Sequence, residues 1–138
     1  DSFALIGYLE NEPFAEEMEA VLRDARRGGV RLYVHAIHLG EVVYITHREK
    51  GKAVADRVYS RIKAFPIHLV DRISEELLLT ASSLKARFPI SYADAYAAAL
   101  AKINRVPLLT GDPEFEPLQG KGELDVAWLR STPPFIQA

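Results

Sequence analysis

Short apolar runs alternate with longer segments of helical periodicity, and this alternation is the feature that most constrains the fold. The apolar runs lie at residues 31–35, 67–70, 107–110 and 125–129. Strands that alternate with helices in this way indicate a parallel sheet with right-handed crossovers. We expect helices over residues 2–10, 13–27, 52–65, 73–88 and 91–104, and a further helix around Glu41. The sequence therefore predicts an α/β fold in which helices flank a parallel sheet.

The length of the chain favours a single domain. Of its 138 residues, 49% are apolar, enough to bury a core of ordinary size, and we expect one domain over residues 1–138. Residues 131–138, which include Pro133 and Pro134, are expected to form a tail.

Asp1 stands directly before a predicted helix, as an acid does when it ends a strand. We therefore expect the first strand of the sheet to precede residue 1.

Composition excludes several functional classes. The chain has no cysteine, which excludes disulfides, thiolate zinc sites and cysteine nucleophiles. No apolar run approaches the roughly 20 residues that span a bilayer, so we expect no membrane partner and a cytoplasmic protein. The formal net charge of -2 gives no global basic signature, and a nucleic-acid partner would have to be recognised by local charge.

Two carboxylates stand alone in apolar helical segments. Asp94 is the only acid between Leu77 and Gly111, and it lies in a run of small apolar residues. Glu41 is similarly isolated, as the only acid between Arg31 and Arg48. A buried polar group without a partner costs roughly 2–7 kcal/mol, and an ion costs more, so both acids need a compensating partner. A cation shared between them would supply it.

Two further acids follow predicted strands or stand where a strand would end. Asp112 comes just after the strand at 107–110, and Asp1 has the position described above. The carboxyl ends of parallel strands form the crevice in which such sheets bind ligands. Oxygen ligands without cysteine, and without paired histidines, favour a hard cation such as Mg²⁺ or Mn²⁺ over zinc.

Each of these acids also has a purely structural interpretation, which stays open when the acid is taken alone. The structural interpretations are a helix cap for Asp1, a side chain that extends to solvent or pairs with Arg48 or His38 for Glu41, a capping box with Ser91 for Asp94, and a helix cap before Pro113 for Asp112. The four acids together are harder to explain as caps, because two lie in acid-free segments and two lie at strand-to-helix transitions.

The order of the four motifs resembles the PIN-domain ribonucleases, and specifically the VapC-like toxins of type II toxin-antitoxin systems. The motifs are Asp1-Ser2, Glu41 in Leu-Gly-Glu-Val-Val-Tyr, Asp94 in Ala-Asp-Ala-Tyr-Ala-Ala-Ala-Leu-Ala, and Asp112 in Thr-Gly-Asp-Pro-Glu-Phe. The match extends from Asp1 to about Leu129. The resemblance implies a PIN-like three-layer fold with a parallel five-stranded sheet flanked by helices.

The resemblance also implies an activity and a set of site residues. It implies a Mg²⁺- or Mn²⁺-dependent endoribonuclease, a hydrolase of RNA phosphodiester bonds, with an antitoxin protein as partner and a homodimeric state. Its catalytic acids and metal ligands would be Asp1, Glu41, Asp94 and Asp112. The hydroxyl groups of Ser2 and Thr110 would support these acids, and Glu114 would be an outer acid.

An RNA substrate would need cations near an acidic pocket. Arg48, Lys50 and Lys52 follow the Glu41 helix, and Arg87 precedes the helix of Asp94. We take these four residues as candidates for RNA binding. The alternative is that they form solvated helix ends, as charged runs usually do.

Two other functions compete with the nuclease. A catalytically degenerate PIN-like module would bind RNA or protein without cleavage, and its RNA binding would not depend on metal. A phosphotransfer receiver would also carry an acidic pocket. It is disfavoured because no lysine follows the late strand at 107–110, where such a pocket needs one.

Overall fold

The computed structural model describes residues 1–129, within which the chain forms two compact units. One unit consists of Ser2–Asp71, and the other consists of Arg72–Leu129 together with Asp1. The predicted tail at residues 131–138 lies outside the described residues. The expectation of a single domain over the whole chain stays a prediction.

The unit formed by Ser2–Asp71 contains four helices and two parallel strands. In chain order the elements are α1 (Ser2–Leu9), α2 (Ala15–Arg26), β1 (Leu32–His35), α3 (Ala36–Lys50), α4 (Lys52–Lys63) and β2 (Ile67–Val70). Leu32 on β1 pairs with Ile67 on β2, and His35 pairs with Val70. The first two apolar runs of the sequence therefore form neighbouring strands that begin at the same edge of the sheet.

The core of this unit is built from the apolar faces of its helices and β1. Leu5, Val34, Leu39, Val42 and Ile62 are all buried and pack together. Removing one such aliphatic side chain from water contributes roughly 1.5–3 kcal/mol, so this cluster holds α1, α3 and α4 on β1.

Helix α3 begins and ends at residues whose chemistry suits a helix terminus. The buried His35 side chain accepts a hydrogen bond at Nδ1 from the Ile37 backbone N–H, 3.1 Å away, and so caps the helix. At the other end, the Gly51 N–H donates to the His47 carbonyl, and Gly51 has a φ of +90° that side chains disfavour. The predicted helix break at Gly51 is confirmed.

The unit formed by Arg72–Leu129 and Asp1 contains the remaining elements. They are α5 (Glu75–Arg87), α6 (Tyr92–Asn104), β3 (Leu108–Thr110), a 3₁₀ helix (Pro113–Phe115), α7 (Glu116–Gly120) and β4 (Val126–Trp128). Strands β3 and β4 are parallel, and Thr110 pairs with Trp128. Helix α5 begins later than the predicted residue 73 because the Ser74 hydroxyl accepts the Leu77 N–H and caps the helix.

Small side chains allow α6 to pack closely. The buried residues of α6 are Ala95, Tyr96, Ala97, Ala98, Ala99 and Ala101. Alanine has the highest helix propensity and the smallest apolar side chain, so the helix axis can approach its neighbour α5. The predicted Ala-rich, buried helix is thereby confirmed, with Asp94 in its first turn.

The class of the fold is confirmed, whereas the number of strands is not tested. The described residues form an α/β fold with parallel strands, as predicted. They contain four strands, which pair two by two, and the fifth strand was expected before residue 1. Within residues 1–129, no helix is both long enough and apolar enough to cross a membrane.

The Glu123 carboxylate ties together the ends of α5 and α6. One oxygen accepts a hydrogen bond from Arg87 and the other from Lys102. These two hydrogen bonds, with Arg87 contributing most, lower the pKa of Glu123 to about 2 from an ordinary 4.5. The folded protein therefore keeps this carboxylate ionised at a pH where the unfolded chain protonates it.

Replacing Glu123 by Gln is expected to lower the free energy of unfolding at pH 7 by on the order of 1 kcal/mol. The shift in the pKa of Glu123 alone would correspond to ~3 kcal/mol of stability. The expected effect is smaller because Arg87 and Lys102 are nearly half exposed, so solvent screens their charges. Because the folded pKa is depressed, the unfolded chain binds more protons between pH ~4.5 and ~2, and wild-type stability falls as the pH drops through this window. Urea denaturation at pH 7 and pH 2.5 measures both effects.

The difference between the wild type and the Glu123→Gln variant should therefore shrink at the lower pH. Glu12→Gln, at an exposed loop position, is the matched control and should change stability little at either pH. A difference that stays constant between pH 7 and pH 2.5 would show that the ion pairs contribute nothing to stability.

Candidate metal centre

Asp94 is held in place by the first turn of α6. The Ser91 hydroxyl accepts the backbone N–H of Asp94, 3.0 Å away, and so provides the N-cap of the helix. The serine half of the predicted capping box is therefore present, and the Asp94 side chain is half-buried. Ser91 therefore fixes the position of Asp94 in the first turn of α6.

Asp112 is positioned by the end of β3 and by the 3₁₀ helix. Its backbone N–H donates to the Thr110 hydroxyl at 3.1 Å, and its Oδ1 accepts the Glu114 N–H at 2.9 Å. Pro113 occupies the first helical position, and the completely buried Phe115 anchors the turn. The predicted cap at Asp112 is thus present, and it orients the carboxylate at the end of the strand.

Three carboxylates lie close together at the end of β3. Oxygens from Asp94, Asp112 and Glu114 all lie within 4.8 Å of one another, and the first two residues are half-buried. Like charges at such distances repel unless a cation lies between them. Glu114 was expected only as an outer acid, and the 3₁₀ turn brings its carboxylate into the group. The signal in the sequence is the order Asp-Pro-Glu, which folds the second acid back toward the first.

Asp1 is linked to the same loop through Thr110. The Thr110 hydroxyl is fully buried, donates to Asp1 Oδ2 at 2.8 Å and accepts from the Asp112 N–H. A single hydroxyl therefore fixes the Asp1 carboxylate relative to the backbone that carries Asp112. These contacts place the Thr110 hydroxyl beside the acid that it was expected to support.

Glu41 belongs to the other unit, where it contacts Ser2. The Ser2 hydroxyl donates to Glu41 Oε1 at 3.0 Å, and the Glu41 side chain is half-buried on α3. Neither Arg48 nor His38 is the partner in this hydrogen bond. The expected role of Glu41 as a metal ligand stays a prediction.

The donor set of the group formed by Asp94, Asp112 and Glu114 fits a hard divalent cation. All three residues offer carboxylate oxygens, the ligands that Mg²⁺ and Mn²⁺ prefer. Two oxygens on opposite sides of one Mg²⁺ ion stand about 4.2 Å apart, given bond lengths near 2.1 Å. The observed spacing of up to 4.8 Å therefore needs only small side-chain rotations to match.

Three of the four cations expected to bind RNA are already paired in the structure. Lys50 pairs with Glu10 at 3.7 Å, Lys52 with Asp56 at 2.8 Å, and Arg87 with Glu123. The fourth, Arg48, lies over the ring of Tyr44 at 5.5 Å from its centroid. All four remain exposed, so their proposed contacts with RNA stay predictions.

The chain matches a known protein family. The family model described as the PIN domain matches residues 1–121. PIN domains are generally metal-dependent nucleases, and the three carboxylates described above provide an acidic group of the kind that this activity requires. A comparison with curated proteins finds no match. Because the family model covers most of the chain, the chain belongs to the PIN domain family.

Proposed function

We propose that this protein is a Mg²⁺- or Mn²⁺-dependent endoribonuclease that hydrolyses RNA phosphodiester bonds. The observation that carries the proposal is the approach of Asp94, Asp112 and Glu114, which are brought together by α6 and by the loop after β3. Carboxylates this close together repel one another and favour a divalent cation, which a nuclease of the PIN family needs for its chemistry.

We assign Asp94 and Asp112 as direct ligands, with Asp1 and Glu114 as direct or water-mediated ligands. The chemistry that a bound ion supplies is polarisation of a phosphate oxygen and acidification of a water molecule. Glu114 is the exposed member of the group, so we assign its carboxylate to orient the attacking water and accept its proton. Thr110 keeps Asp1 and the Asp112 backbone in place by its two hydrogen bonds.

The biological role that we propose is the toxin of a toxin-antitoxin pair. The support is the resemblance of the four motifs, in order, to the VapC-like toxins. By the same resemblance we propose an antitoxin protein as partner, a homodimeric state and a cytoplasmic location. Co-expression with the product of the neighbouring upstream gene tests this role, since an antitoxin should bind the protein and inhibit cleavage.

Metal dependence is the test of the nuclease. We expect labelled single-stranded RNA to be cut at internal positions in the presence of Mg²⁺ or Mn²⁺, and to remain intact in EDTA. Mg²⁺ at ten times its dissociation constant should also stabilise the fold by about 1.4 kcal/mol, which raises the melting temperature by several degrees. RNA bound equally with and without metal, and never cut, would identify a degenerate binding module instead.

A further inference from the structure

A groove of about 440 Å³ opens at the edge of the β1–β2 sheet where both strands begin. Its walls are formed by residues 28–32, which lead into β1, by residues 66–68, which lead into β2, and by Ala25. The carboxyl ends of the same strands, at His35 and Val70, lie at the opposite edge.

Arginines without an acidic partner among the described residues lie in one wall of this groove and in the segment that leads into it. The segment from Arg23 to Arg31 carries four arginines and a single acid. Arg26 pairs with Glu19 at 3.8 Å, but within residues 1–129 no ion pair or side-chain hydrogen bond involves Arg23, Arg27 or Arg31. Arg31 lines the groove, and Arg27 directly precedes its wall. In the same unit, exposed Lys50 and Lys52 do have acidic partners.

Capping of α2 does not account for these arginines. The last carbonyls of the helix already accept backbone N–H groups, from Gly28 to Ala25 at 3.1 Å and from Gly29 to Asp24 at 2.9 Å. Gly28 makes this closure possible with a φ of +78°. The helix C-terminus carries only about half a negative charge, which is less than one arginine neutralises. Positive charge therefore remains for an anionic ligand.

The groove also offers a flat ring beside the charges. His68 lines it, is exposed, and is held edge-on against Tyr33 with ring centroids 5.5 Å apart. Val30 is 44% exposed at the same groove. Arginine guanidinium groups bind phosphates, and exposed aromatic or histidine rings stack on unpaired bases. The combination matches single-stranded RNA better than an acidic peptide, which has no bases to stack.

We propose that this groove binds a segment of single-stranded RNA, with phosphates on Arg27 and Arg31 and a base against His68. The inference rests on the proposed RNA substrate, to which it adds a holding surface separate from the acidic group. It requires no cleavage, so a protein that binds RNA here without cutting it would still satisfy it. An experiment can therefore reject the nuclease proposal without rejecting this groove as an RNA-binding surface.

The test is fluorescence anisotropy of a labelled single-stranded RNA with the full chain in EDTA, at several salt concentrations. We expect the double variant Arg27→Gln/Arg31→Gln to bind at least about tenfold more weakly, with the slope of log K against log salt reduced by about 1.4, or 0.7 per lost phosphate contact. His68→Ala should weaken binding by about tenfold without changing that slope. Circular dichroism melts of each variant verify that it is folded.

Arg57→Gln is the matched control, since Arg57 is exposed on α4 and does not line the groove. It should leave affinity within about twofold of the wild type. Three results would overturn the proposal: equal losses for Arg57→Gln and the double variant, no binding of RNA by the wild type, or binding of polyglutamate in place of RNA with the same dependence on Arg27 and Arg31.

Discussion

Replacing Asp94 by Asn is expected to slow RNA cleavage by about 100-fold or more at a Mg²⁺ concentration that saturates the wild type. Asn keeps the shape of the side chain, and the backbone N–H at this position can still donate to Ser91. The substitution removes the charge that binds the cation. Losing an outer partner of a metal ligand typically costs 10–100-fold, and losing a direct ligand should cost more. Initial rates on a labelled RNA measure the effect.

The matched control for this variant is Asp125→Asn, an exposed aspartate just before β4. It should cut RNA at the wild-type rate. In metal-free buffer, Asp94→Asn should also melt at the same temperature as the wild type or higher, because repulsion with Asp112 and Glu114 is relieved. If Asp94→Asn cleaves RNA at the wild-type rate and melts at a lower temperature, the role of Asp94 is purely structural.

The Phe115→Ala variant is expected to lose about 3–5 kcal/mol of stability. The Phe115 side chain is completely buried at the end of the 3₁₀ helix, so truncation removes its transfer free energy and leaves a cavity. For a chain of this length we expect the melting temperature to fall by about 10 °C or more. Thermal denaturation monitored by circular dichroism measures the change.

Phe3→Ala provides the comparison. Phe3 is 39% exposed, so its truncation should lower the free energy of unfolding much less. Phe115→Leu keeps most of the apolar volume and should fall between the wild type and Phe115→Ala. A melting temperature for Phe115→Ala within about 3 °C of the wild type would mean that the turn after Asp112 is not anchored by this ring. In that event the ring could not be what holds the acidic group together.

Much of the fold could be predicted because its signals are local. The strands at 67–70 and 107–110, the break at Gly51 and the buried Ala-rich helix all follow from the order of apolar and special residues over a few positions. A helix beginning at Pro113 was only an alternative interpretation of Asp112, and α7 was not predicted, because 113–120 contains two prolines and little periodicity. There the buried side chains of Phe115 and Leu118 determine the conformation instead.

The candidate site could be predicted only in part, because its geometry depends on contacts distant in sequence. Isolation in an apolar segment was enough to single out Asp94. The approach of Glu114 depends on a turn that local sequence only suggests. The pairing of Arg87 with Glu123 joins residues 36 positions apart, and no local pattern indicates it. Likewise the groove beside Arg31 appears only when β1 and β2 are placed side by side.

Thr110 makes the acidic group dependent on how β3 aligns with β4. Its carbonyl accepts the Leu129 N–H at 2.9 Å, and its hydroxyl contacts Asp1 and the Asp112 backbone. A shift of β3 by one residue would turn that hydroxyl to the opposite face of the sheet. A deletion within β3 should therefore inactivate the protein even with every acid retained. The geometry of the acidic group therefore depends on sheet alignment as well as on the acids themselves.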